Sequence, residues 1–320
     1  MSTTTPSTAA TRIADGPPPQ PLPGPAAPPR RGLRRLGVSR ALLWPALIVS
    51  IVLTQVPFVI TIYYSLQSWN LLRPADQRFA WFENYARVFS NGSFLSSLLA
   101  TVVITGSTVV LSTVLGLLFA VLLDRPFRGR ALARTMIITP FLIMPAAAAL
   151  IWKWSMFEAS TGMVNWGLGL LGLPSVAWNT DVPVATVILV LTWQYTPFFT
   201  LILLAGLQSQ SRDILEASSV DGAGAWRTFT SITLPHMRQY VEIAVLLGSI
   251  QLVQVFDPVA IMTRGSGGTK TLAYLLYERA FVGLEVGEAA AYGVITVLVT
   301  IVIATVALRT LFKVFTEGTR

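Results

Sequence analysis

The chain of 320 residues is 53% hydrophobic and only 12% charged, with a mean hydropathy of +0.63, a composition that excludes an ordinary soluble domain. Its net charge of +8 does not indicate nucleic-acid binding, because the basic residues concentrate beside long apolar runs, where membrane anchoring accounts for them. Cysteine is absent, which removes disulfides, thiolate-held metals and thiol chemistry.

Residues 1–39 read as a disordered, Pro-rich tail closed by a basic anchor that includes Arg30, Arg31, Arg34 and Arg35. Residues 40–315 read as a membrane domain and residues 316–320 as a short terminal tail. A bilayer core about 30 Å thick needs roughly 20 apolar residues per helix. Six runs meet that length, at about residues 41–66, 94–123, 135–156, 182–207, 241–262 and 289–308. Pro57, Pro140, Pro145 and Pro197 fall inside them, which spanning helices tolerate when neighbours satisfy the freed backbone groups. The expected fold is therefore all-α and polytopic, with six transmembrane helices.

Orientation follows from basic residues. With both termini inside, the inner segments 1–40, 124–134, 208–240 and 309–320 hold 16 of the 23 Lys and Arg, in keeping with the positive-inside rule. The inner connection 208–240 is far longer than the other, and structureless loops beyond about 12–15 residues are uncommon unless functional. Its sequence predicts order. Ser211 is placed as an N-cap and Asp213 in the first turn, with Arg212 and Glu216 spaced as an i,i+4 pair. The helix is expected to stop at Asp221-Gly222, because glycine reaches positive φ cheaply. A second helix is expected over about residues 225–233, with Trp226, Phe229 and Ile232 on one face and Pro235 ending it or opening the next span. Two such helices suit docking, and by periodicity alone a solvated connector is an equal alternative.

Within this loop stand Glu216-Ala217-Ser218, then Gly222, then Ile232 and Leu234-Pro235. The pattern closely resembles the EAA motif of importer-type ABC transporter permeases, with every spacing kept. Asp221-Gly222-Ala223 and Phe229 further resemble the carbohydrate branch, as do WQYTPFFTLILLAGLQ at 193–208 and VFDPVAIMTRGSGGTKTLAYLLYERAF at 255–281. Ser218 departs from the usual alanine, a small-for-small change.

The resemblance implies the type I importer permease fold and one of two homologous permease subunits forming a single pathway. The implied partners are two ATP-binding cassette ATPase subunits, which would carry ATP and Mg, and an extracytoplasmic solute-binding (lipo)protein. The implied location is the bacterial cell membrane. Glu216 would contact the ATPase, Gly222 would supply the turn, and Ala223 with Phe229 would enter its cleft. Such a chain does no covalent chemistry and binds no cofactor.

The chain's own glycine-rich segment GSGGTKT, residues 265–271, lacks Gly before Lys, where Thr269 stands, so it is not a phosphate-binding loop. It reads as a flexible outer loop.

Polar residues within spans mark a pathway. Trp193, Gln194, Tyr195 and Phe198 in the fourth run, with Gln251, Gln254 and Asp257 in the fifth, are candidates for a sugar or sugar alcohol. Rings stack on apolar sugar faces while amides and carboxylates bond hydroxyls. Interfacial anchoring and helix-to-helix hydrogen bonding are the alternatives for each. A non-carbohydrate solute is the competing substrate class. An ion-coupled secondary transporter would need inverted repeats and buried carboxylate relays, and an enzyme would need a nucleophile, base or metal site. The sole histidine, His236, reads as an interfacial helix-end residue.

Overall fold

The computed structural model describes Ser2 and residues 32–317, with side chains described at Ser2, from 44 to 307 and at 309. Most of the segment expected to form the N-terminal tail, and residues 318–320, lie outside the described residues. The described residues divide into two units between Val56 and Pro57. The first holds the start of α1 (Gly32–Ser65), in which Thr54 donates its hydroxyl back to the Ser50 carbonyl at 2.7 Å.

In the second unit the helices are α2 (Glu83–Ser90), α3 (Gly92–Asp124), α4 (Arg130–Leu142), α5 (Pro145–Leu150), α6 (Met163–Leu170), α7 (Trp178–Asp181), α8 (Pro183–Gln208), α9 (Arg212–Val220), α10 (Ala225–Thr228), α11 (Leu234–Val253), α12 (Leu272–Tyr277) and α13 (Val286–Glu317). A two-stranded antiparallel ribbon, β1 (Gln67–Ser68) and β2 (Arg78–Phe79), pairs Gln67 with Phe79 and Ser68 with Arg78.

On α3 the buried stripe holds the small and hydroxyl residues Ser97, Ala100, Thr101, Thr105, Thr108, Ser112, Gly116 and Ala120 beside Phe94, Ile104, Val109 and Leu123, whereas Leu95, Leu99, Val103, Val110, Val114 and Leu118 are exposed. Where lipid is as apolar as leucine, close approach of small residues contributes strongly to helix association. The stripe receives α8, which is the central helix: 61% of its most apolar stretch is buried. At the crossing Phe199 of α8 is fully buried between Gly116 of α3 and Gly248 of α11. A Cβ on Gly116 would meet Phe199 Cβ at 2.8 Å and the Thr200 nitrogen at 3.1 Å, and one on Gly248 would fall on the Phe199 ring.

Among the described residues four helical stretches are long and apolar enough to cross a membrane, namely Trp44–Ser65, α3, α8 and Val286–Ala307. A fifth crossing results if α4 and the α5 segment through Met156 count as one. That pair corrects the third expected run, which is not one continuous helix but bends by 96°. Pro145 forces Met144 into extended backbone (ψ 131°) and starts a new helix. The expected fifth run is also displaced and is not among these stretches, so among the described residues four or five of the six expected spans are found by length and composition. Its helix, α11, begins seven residues earlier, with Pro235 in its first turn, and stops at Val253, and its polar start includes the Arg238–Glu242 pair at 2.8 Å.

Two ends of the bundle emerge. Asp124 of α3, Leu207 of α8, the α9–α10 segment and Thr233 line one cavity, so these helix ends share one face. At the other ends, α2 adjoins the start of α3 and packs on α13. There the segment 265–271 is not the flexible loop expected of a glycine-rich tract. Thr269 is fully buried and shares a 2.6 Å hydrogen bond with Thr263, while the Leu272 N–H donates to Thr101 Oγ1 of α3 at 2.9 Å. Threonine hydroxyls lock the turns that the glycines make possible.

Candidate functional site

The long inner loop forms the two helices its sequence predicts. α9 ends at Val220 with Asp221 as its C-cap, and Gly222 adopts φ +77°. The Gly222 N–H donates to the Ser219 carbonyl at 3.2 Å and the Ala223 N–H to that of Ser218 at 3.0 Å, the paired bonds of a Schellman cap. Ser211 occupies the N-cap position, but its side chain makes no capping bond. Arg212 and Glu216 do not form the expected pair. Both are exposed, and an exposed i,i+4 pair returns too little energy to fix two long side chains.

The second helix does not end at residue 233. α10 passes through a wide π-helical turn, Phe229–Thr233, straight into α11, with Thr233 itself helical at φ −70°, ψ −48°. Pro235 explains the widening: its ring has no N–H and crowds the preceding turn, and the Leu234 N–H reaches back five residues to the Phe229 carbonyl. The predicted face also divides. Trp226 is 78% exposed, whereas Phe229 and Ile232 are half-buried, and Phe229 lines a cavity of about 370 Å³ with Asp124, Arg125, Leu215 and Ala223. Glu216, Ala217 and Asp221 are exposed. Ser218 is buried, donating to the Leu215 carbonyl at 2.8 Å and lying 3.3 Å from the Thr228 hydroxyl. The motif's third residue thus sits where α9 meets α10.

One further group lies beyond reach of the sequence reading. Ser209, just past α8, receives a hydrogen bond from the Tyr240 hydroxyl at 2.7 Å, lies 3.0 Å from His236 Nε2, and donates to the Gly206 carbonyl at 2.8 Å. With its own proton committed to Gly206, Ser209 accepts from both neighbours, so His236 acts as the donor through Nε2–H. A Cβ on Gly206 would strike Tyr240. The clasp joins the two roots of the loop, which are 31 residues apart in sequence, a separation invisible to local periodicity. Ser209→Ala removes the shared acceptor, and at ~0.5–1.5 kcal/mol per neutral hydrogen bond it is expected to raise amide exchange at the start of α11 roughly tenfold. Hydrogen–deuterium exchange of the assembled transporter checks this, and unchanged protection at residues 234–240 counts against the clasp.

The expected pathway residues separate. Gln194, Tyr195, Gln251, Gln254 and Asp257 line one cavity of about 140 Å³ with Pro145 and Pro258, at the level where both the α4–α5 pair and α11 break. Gln194 is 2% exposed. Its Nε2 donates to the Ile143 carbonyl at the bend at 3.0 Å, while Oε1 is buried without a hydrogen-bond partner. Trp193 faces elsewhere, meeting Trp152 edge-on at 5.4 Å beside an apolar cavity of about 800 Å³. Phe198 packs against Phe141 and Phe199.

Residues 84–316, which contain the loop, the clasp and the polar cavity, match the family model described as the binding-protein-dependent transport system inner membrane component. The chain belongs to this family. It is a multi-pass membrane transport subunit and not an enzyme, and the family's permeases need no cofactor of their own. The permease is 37% identical over 290 residues to the probable ABC transporter permease protein y4oQ of Sinorhizobium fredii, covering 88% of this chain and 93% of the relative. It is 31% identical to the trehalose transport system permease protein SugA of Mycobacterium tuberculosis, covering 79% and 82%. To the trehalose/maltose transport system permease protein MalF of Thermococcus litoralis it is 32% identical, covering 84% and 91%. Its fold is similar to that in the crystal structure of a bacterial ABC transporter involved in the import of the acidic polysaccharide alginate, with a TM-score of 0.73 at 20% identity over 88% of this chain and 96% of the other.

Proposed function

We propose that this permease forms half of a translocation pathway for a sugar or sugar alcohol, driven by separate ATPase subunits that bind ATP and Mg and dock on residues 208–240. The observation that carries the reading is the loop itself: an ordered helix pair turned at Gly222, with Trp226 and Val220 exposed by 78% and 87% and α10 running directly into α11. Exposed apolar groups held on a rigid frame suit a protein cleft. Closure of the ATPase pair moves α11 as a body, and α8 moves with it through the Ser209 clasp.

Both termini face the cytoplasm, the loop lies on that side, and a solute-binding protein delivers substrate to the opposite face. A second homologous subunit completes the pathway. The polar cavity of about 140 Å³ is smaller than the roughly 300–1,000 Å³ of a complete small-molecule site, as suits half of a shared one. Its amides and Asp257 match a polyhydroxylated solute, and relatives named for trehalose and maltose support the same class.

The test is reconstitution of the whole transporter in liposomes, with ATPase activity measured on addition of the binding protein loaded from a panel of sugars and polyols. Stimulation by at least one carbohydrate is expected. In the responsive case, Gln254→Leu should raise the half-saturating concentration of loaded binding protein or lower turnover by ~10-fold, the worth of one or two hydrogen bonds. Absence of stimulation across the panel assigns the permease to another solute class.

A further inference from the structure

We infer that the exposed aromatic face of α2, with the turn before it, rests in the lipid headgroup layer on the membrane side opposite the coupling loop. The helix presents two faces. Asn84 and Val88 are buried, and Asn84 fixes the orientation by donating to the carbonyls of Ser65 at 2.7 Å and Gln67 at 2.8 Å while accepting from Arg87 at 2.7 Å. Phe82, Ala86 and Phe89, spaced by four and three residues, occupy the free face, and the two phenylalanines are 67% and 65% exposed.

The preceding turn adds Phe79 and Trp81, packed edge-on at 4.9 Å, with Trp81 68% exposed in a left-handed conformation at φ +48°. Such a conformation is costly for a bulky residue and persists only when surroundings impose it. Here it directs an indole outward.

Position along the membrane normal names the partner. Asn91 ends α2 and caps α3, accepting from the Ser93 N–H at 3.0 Å, and Phe89 meets Phe94 of α3 edge-on at 5.3 Å. The 33 residues of α3 span about 50 Å at 1.5 Å each, longer than the ~30 Å hydrocarbon core. That length also matches or slightly exceeds the ~40–45 Å of core plus headgroup layers, so its ends lie at the outer part of the headgroup regions, one beside the coupling loop at Asp124 and the other beside Phe89. Aromatic side chains concentrate at that depth, and a short helix with one apolar face lies flat there. The inference needs only the fold and holds whichever solute is carried.

Because the chain has no cysteine, Phe82→Cys, Ala86→Cys, Phe89→Cys and Arg87→Cys each accept a single nitroxide label. In the complete transporter, reconstituted in phosphatidylethanolamine and phosphatidylglycerol vesicles, collision with oxygen reports lipid and collision with a water-soluble nickel chelate reports solvent. Labels at 82, 86 and 89 are expected to favour oxygen severalfold over the label at 87. Equal chelate access at all four positions overturns the inference. So does protection from both reagents that depends on the binding protein or the second subunit, since a protein would then cover the face. Uptake is measured for each variant, and Ala86→Cys, which removes no aromatic group, decides between these outcomes if the phenylalanine variants lose assembly.

Discussion

Gly222→Val is expected to cut solute uptake per ATP hydrolysed by ~10-fold or more while the chain still folds and reaches the membrane. The expectation rests on backbone geometry alone. Gly222 sits at φ +77°, and a Cβ there would meet nothing within 4 Å. No clash arises, but a β-branched residue held in this region costs ~1–3 kcal/mol, and 1.4 kcal/mol is a factor of ten. The turn relieves that strain by abandoning the bonds from Gly222 and Ala223 to Ser219 and Ser218, which re-aims α9 relative to α10. Gly222→Asn is the matched control, since asparagine tolerates the left-handed region, and it should retain most coupling. Uptake and ATPase activity measured together in proteoliposomes decide the matter. Wild-type coupling in the valine variant would remove the turn from the docking reading.

Gly116→Val is expected to destabilise the fold heavily, whereas Gly106→Val on the same helix should be nearly silent. The obstacle at position 116 is backbone: the Thr200 nitrogen at 3.1 Å and the Phe199 carbonyl carbon at 3.2 Å, besides Phe199 Cβ at 2.8 Å. A flexible side chain yields to an added methyl group; a neighbouring helix does not. Overpacking typically costs 1–3 kcal/mol and occasionally more, and here about 3 kcal/mol or beyond is expected, because α3 and α8 must separate along their whole contact. At Gly106 a Cβ meets nothing within 4 Å, so only helix propensity changes, by a few tenths of a kcal/mol. Melting of the detergent-purified chain, followed by size-exclusion chromatography, compares the two. If both variants melt alike, the close crossing at Phe199 does not carry the fold.

The residues that announced this architecture act locally. Length and hydropathy marked the runs that became α3, α8 and the apolar part of α13, and the capping signal at Asp221-Gly222 located the turn of the loop. What stayed hidden depends on distant contacts. Proline marks a possible break but does not distinguish outcomes: Pro57 and Pro197 lie inside continuous helices, whereas Pro145 follows a bend of 96°. The difference is the partner, since the Ile143 carbonyl freed at the bend accepts from Gln194. In the same way, glycine content made residues 265–271 look slack, and only the packing of Thr269 and Leu272 against Thr263 and α3 shows them to be held.

The uninterrupted path from α10 through the wide turn into α11 makes this helix a screw with its tool fixed at one end. Deleting or inserting one residue between Thr233 and Val241 would rotate Trp226 by about 100° around the axis and shift it by about 1.5 Å relative to the membrane part. The angular setting of the contact is written in the residue count of that segment, so its length is constrained as tightly as its composition.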